Sequence, residues 1–199
     1  DYVLTTRELA RMLKEDGINL PELPEEKYDP LLGEASGAGL IFGNTGGVME
    51  AAVRSAYYLL TGTKAPEAVF NFQPVRGLEG IKEASIDIPG VGTLKVAVVH
   101  GLANARVLCE NVSKGNVPYH FIEVMACPGG CISGGGQPRT SVPPADYVRE
   151  KRMATIYEKD ASYLLRESYE NKEILELYQN FLKHPLSELA HELLHTTYT

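Results

Sequence analysis

Apolar residues along this chain follow two spacings, and the two occupy different stretches. Near the start, Leu9, Met12 and Leu13 repeat at helical intervals. Thr5 and Glu8 stand ahead of them as a capping box, and Gly17 closes the helix. A stronger helix is predicted from Val48 to Leu60, with Thr45 as its candidate cap. Its small-residue face carries Val48, Ala51, Ala52, Ser55, Ala56 and Leu59. The spacing predicts another helix over 102–112, with Leu102, Ala105, Leu108, Cys109 and Val112 on its apolar side. That reading places Cys109 in the core. Helices are also expected over 146–160, over 172–182 and, beyond Pro185, over 186–195.

Strand-like alternation lies between these helices. Residues 81–88 alternate, Pro89 and Gly90 turn the chain, and Leu94 to Val99 is the clearest strand. Together they predict a hairpin of 81–88 with 93–99. Residues 119–124 form a further strand, while 72–77 is a weaker candidate broken by Pro74. The order predicts an α/β fold, a mixed sheet flanked by helices with a helical C-terminal segment. Residues 1–140 are expected to form the α/β lobe and 141–199 the helical tail.

Composition narrows the function. At 44% hydrophobic and 23% charged residues, the 199-residue chain is ordinary for a globular protein. A net charge of −7 argues against nonspecific nucleic-acid binding, which needs a basic face. No apolar run approaches the roughly 20 residues of a membrane helix. Three cysteines cannot close a disulfide framework, and the start shows no signal peptide, so a cytoplasmic location is expected.

Cys127 and Cys131 lie in one glycine-rich loop, Met125 to Pro138. Thiolates on such a loop suit iron–sulfur clusters, zinc or copper(I), but a tetrahedral thiolate site needs more ligands than this loop holds. A thioredoxin-like pair has two intervening residues rather than three. A CxxxCxxC radical motif would need cysteine where Gly134 stands. Buried structural cysteines are the plainer alternative. His191, Glu192 and His195 match HExxH literally, which suggests a zinc peptidase, yet little chain follows to supply a third ligand.

The cysteine loop, the segment Thr45 to Glu50, the opening Tyr2 to Leu9 and the tail Ala190 to Thr196 resemble the catalytic domain of iron-only, or [FeFe], hydrogenases. The resemblance runs over the whole chain and implies an iron-only hydrogenase-like lobe. It also implies reversible reduction of protons to H2 at a [4Fe–4S] cluster joined to a diiron unit bearing CO, cyanide and azadithiolate. By motif, Cys127 resembles the ligand to the cubane alone and Cys131 the thiolate bridging cubane and diiron unit. Met125 resembles the methionine beside that unit, and Phe42 an aromatic that helps enclose it. Gly130 and Gly134 fall in the 129–136 backbone, expected to hold the thiolates and tune the cluster. The family's upstream cysteine signatures are absent, and with them its lysine and proton-relay cysteine. The resemblance therefore implies the C-terminal part of a large subunit, inactive alone and partnered by the missing N-terminal part. Ferredoxin or a nicotinamide-linked subunit would supply electrons. The alternative is a noncatalytic assembly or sensory iron–sulfur protein of the same superfamily.

Overall fold

A computed structural model describes residues 2–27, 34–141 and 145–197. The hairpin and crossover carry its organisation. β1 (Ile81–Ile88) pairs antiparallel with β2 (Gly92–His100), from Ile81 opposite Val99 to Ile88 opposite Gly92. The chain then crosses through a helix, Leu102–Ser113, and returns as β3 (Phe121–Met125), parallel to β2 with His100 opposite Met125. The sheet order is β1-β2-β3.

Val96, Ala97, Val98 and Val99 are all fully buried, because helices or turns cover both faces of β2. On one face Val96 and Val98 join Ile86 and Ile88 against Met49, Val53 and Phe70. On the other, Ala97 and Val99 meet Ala105 and Leu108 of the crossover helix.

The helices, in chain order, are α1 (Thr6–Glu15), α2 (Gly37–Ile41), α3 (Gly47–Thr61), α4 (Glu67–Phe70), α5 (Leu102–Ser113), α6 (Asp146–Ser162), α7 (Lys172–Leu177) and α8 (Glu188–Leu194). The capping box at Thr5 and Glu8 forms as expected, but α1 buries none of its residues. Leu9 and Met12 face outward, and the Arg7 amide ties the segment to the Gly136 carbonyl at 3.2 Å.

Three local expectations need correction. Residues 72–77 contain a 3-10 turn, Gln73–Val75, rather than a strand; Pro74 has no N–H to give a ladder. The helix at 172–182 changes after Leu177 into a π turn, Tyr178–Leu182. On α5 only Ala105 and Leu108 are buried, and Cys109 is exposed. One residue past Leu108 lies about 100° around the helix, which carries Cys109 off the sheet-facing line.

Candidate cluster-binding site

β3 delivers Met125 to a loop whose backbone is pinned on several sides. Gly130 sits at φ +98, and a Cβ there would lie 2.6 Å from the Thr45 nitrogen and 2.7 Å from the Gly43 oxygen. Only glycine lets these two loops approach so closely. The Thr45 amide donates to the Gly129 carbonyl at 3.1 Å, and the Ile132 amide to the Gly43 carbonyl at 3.2 Å. Inside the loop, Gly130 donates to the Cys127 carbonyl and Gly134 to the Cys131 carbonyl, each at 3.0 Å. Arg152 on α6 closes the far side, donating to the carbonyls of Ile132 at 2.7 Å and Pro138 at 2.5 Å.

Cys131 is exposed, Cys127 and Met125 are partly exposed, and Phe42 is 47% exposed beside Gly43. A Cβ at Gly134 would stand 3.8 Å from the Cys127 sulfur. Two soft thiol donors on one glycine-rich loop fit a thiolate-held iron–sulfur cluster, as half of the four cysteines a [4Fe–4S] cubane takes. Among the described residues, no group of at least 3 His, Cys, Asp or Glu side chains is placed to hold a metal ion.

The polar residues behind the loop were mostly hidden in the sequence. Gly46, at φ +90, is the true N-cap of α3, and the Thr45 hydroxyl instead meets Lys82 Nζ at 3.4 Å. The cap is supplied from β3. Both oxygens of the buried Glu123 carboxylate accept from α3 amides, Gly46 at 2.6 Å and Met49 at 2.7 Å. Burial raises the Glu123 pKa even so. Lys82 is buried alongside, donates to the Gly77 carbonyl at 2.9 Å, and is pushed down to about 8, chiefly by burial. A charged residue inside an apolar strand was the one signal available for Glu123.

Further along α3, Arg54 is fully buried with Glu50 and Asp160. Its guanidinium donates to Glu50 at 2.7 Å and to both Asp160 oxygens at 3.1 and 2.9 Å. Arg76 also pairs with Glu50, and Arg166 with Asp160 at 2.6 Å. Burial pushes the Asp160 carboxyl up, but the hydrogen bonds from Arg54 and Arg166 outweigh it and hold the carboxyl below its ordinary range. Glu50 and Glu123 are thus both committed to structural partners.

Among the described residues, no third metal-ligating side chain joins the HExxH histidines. His191 lies in α8 and His195 just beyond it, their rings 4.7 Å apart, while His184 bonds its neighbour's carbonyl at Pro185.

The mixed sheet and the clamped double-cysteine loop make a candidate cluster site, and sequence comparison gives the family of the chain. Residues 1–135 match "Iron only hydrogenase large subunit, C-terminal domain", and 146–199 match "Iron hydrogenase small subunit". The chain belongs to the iron-only hydrogenase family.

Among its relatives is the NADP-reducing hydrogenase subunit HndD of Solidesulfovibrio fructosivorans, 48% identical over all of this chain and 33% of that protein. The periplasmic [Fe] hydrogenase large subunit of Nitratidesulfovibrio vulgaris is 56% identical over 138 residues, 69% of this chain and 32% of that one. The cytosolic iron-sulfur assembly component 3 of Mus musculus is 35% identical over the whole chain and 41% of its own length. A solved variant of [FeFe]-hydrogenase HydA1 from Chlamydomonas reinhardtii superposes with a TM-score of 0.77 at 43% identity, covering 100% of this chain and 55% of that one. The chain spans about a third of the length of the two bacterial hydrogenase subunits and about half of the algal one.

The periplasmic relative corrects the expected cytoplasmic location. Cysteines reserved for a cluster stay out of disulfides in any compartment, so their scarcity carries no address. No described helix is long and apolar enough to cross a membrane.

Proposed function

We propose that this chain forms part of the catalytic subunit of an iron-only hydrogenase, which reversibly reduces protons to H2. The observation that carries the reading is the placement of Cys127 and Cys131 on a loop clamped to Gly43 and Thr45, with Met125 at its entrance. Cys127 would hold a [4Fe–4S] cubane, and Cys131 would bridge it to a diiron unit with CO, cyanide and azadithiolate ligands. When bound, that cofactor supplies the redox chemistry of proton reduction.

The chain's own residues do the holding. The Gly130 contact fixes the cysteine loop against residues 43–45, so the backbone that carries both cysteines is held in place by the chain itself. Met125 offers a soft, adaptable thioether to a carbonyl-bearing group without adding an unpaired polar atom, and Phe42 helps keep water out. The remaining thiolates and the proton relay would come from polypeptide outside these 199 residues, so the chain alone is expected to be inactive. Electrons would reach the cubane from ferredoxin or a nicotinamide-linked subunit. Higher identity to hydrogenases than to the assembly component favours the catalytic over the assembly reading.

Replacing Cys131 with alanine in the assembled, matured enzyme tests this assignment. The diiron unit should be lost and H2 formation abolished, read by iron content, infrared bands and gas chromatography. Full iron and turnover in C131A would reject it.

A further inference from the structure

His100 ends β2 and is 7% exposed, and both of its ring nitrogens are engaged. The Gly129 amide, midway between the two cysteines, donates to Nδ1 at 3.3 Å. Nε2 lies 3.1 Å from the Leu78 carbonyl. An amide donates only to a bare lone pair, and a carbonyl accepts only from an N–H. The ring is therefore the neutral tautomer protonated at Nε2.

Its backbone is equally fixed. The His100 amide donates to the Gly80 carbonyl at 3.1 Å, and its carbonyl accepts from Asn104 at 2.9 Å. The imidazole thus joins a rigid strand end to the middle of the cysteine loop.

We propose that His100 is a positioning residue for the cluster loop, its Nδ1 holding the Gly129 N–H and with it the relative placement of the Cys127 and Cys131 sulfurs. The proposal rests on the reading of this loop as a cluster site. Burial, with Lys82 and Arg149 nearby, lowers the His100 pKa, so the acceptor form prevails at neutral pH. Gly129 has little freedom to compensate, being buried at φ +84, where an added Cβ would come within 3.2–3.5 Å of Arg149, Leu78 and Ser133. The hydrogen bond also has an electronic consequence. Amides that point at thiolates or sulfides shift a cluster's potential. An N–H committed to His100 is withheld from the sulfurs, and releasing it should make the cluster easier to reduce.

Three variants separate the two ends of the ring. In H100N the amide oxygen sits where Nδ1 was and keeps an acceptor for Gly129. In H100Q the amide nitrogen reaches the Nε2 position and keeps only the link to Leu78. H100L keeps neither. In the iron-free chain, 15N NMR should show a bare Nδ1 and a protonated Nε2 in the native ring. Hydrogen exchange at Gly129 should be about tenfold faster in H100L and H100Q and close to native in H100N. In the matured enzyme, cubane potential and EPR line shape should move in H100L and H100Q and return in H100N.

A proton on Nδ1 in the native chain would overturn the proposal. So would an H100L enzyme with native cluster potential and native Gly129 exchange, even if it melted earlier. A native enzyme without any cluster would instead reject the reading of the loop, so the two failures are distinguishable.

Discussion

At its first turn α3 is held by backbone amides and a single carboxylate, whereas its middle is held by a cluster of full charges. Glu123 reaches across from β3 to the amides of Gly46 and Met49, and the cysteine loop lies through Gly130 against residues 43–45, just ahead of that turn. Near the helix centre, Arg54 gathers Glu50 and Asp160, and Asp160 belongs to α6. The first arrangement fixes the candidate site; the second ties α6 to α3. Amide-to-carboxylate capping is local and geometrically strict. The ion cluster is stronger per contact but punishing when a partner is lost, because a buried charge left alone cannot be rehydrated. The two regions should therefore break differently.

Arg54→Ala is expected to have the largest effect on stability. It removes the buried cation that two carboxylates share, leaving Glu50 to Arg76 and Asp160 to Arg166, and should cost about 3–5 kcal/mol. The check is the urea midpoint with α6 signals followed by NMR, and a loss under about 1 kcal/mol would show that the cluster behaves like a surface pair.

Acid should act on the two regions with opposite sign. The Asp160 carboxyl is held below its ordinary value of 3.8. The folded chain thus binds that proton less readily than the unfolded chain. Its contribution is fully present above that value and is lost as pH falls toward the lower folded value. Glu123 is raised above 4.5 by burial, so its contribution weakens as pH rises from 4.5 through the folded value. D160N should flatten the acid side of the stability profile, and E123Q should remove the opposing slope. Urea midpoints measured through this acid range decide it; identical profiles in D160N and the native chain would refute the Asp160 assignment.

Glu123→Ala should cost about 1–3 kcal/mol by leaving the Gly46 and Met49 amides unpaired in a buried place. Its signature is local. Exchange at these two amides should accelerate more than exchange in α6, whereas Arg54→Ala should do the reverse. Equal acceleration in both regions would mean that α3 transmits the two perturbations as one unit.

The same contrast explains what was legible in the sequence. The hairpin, the crossover and most helix positions followed from periodicity, because there local pattern and tertiary burial agree. The cysteine loop was legible because glycine at Gly130 answers a steric demand and thiols answer a chemical one. Arg54 and Glu50 were not, since an acid and a base four residues apart on a helix read as a solvated pair. Only the arrival of Asp160, more than a hundred residues later, makes them buried. His100 was missed for a similar reason, because a histidine closing an apolar strand carries no mark of the loop it will meet. The apolar residues of α1 misled in the other direction. Their periodicity predicted a helix correctly, yet Leu9 and Met12 find no core among the described residues.

Cys109 gives the smallest expected effect and the cleanest contrast with Cys127 and Cys131. All three are free thiols, and sequence spacing alone placed Cys109 in the core. The structure puts it on the outer side of α5, away from Ala105 and Leu108. A serine there removes a sulfur that packs against little and bonds to nothing strong, so stability should change by no more than about 0.5 kcal/mol. Iron content and cluster spectra of the matured enzyme should be those of the native protein, since Cys109 hangs on a helix remote in sequence from the glycine loop. Loss of iron in C109S, or a stability loss several times larger, would return this residue to the core or the cluster and overturn the register of α5 against the sheet.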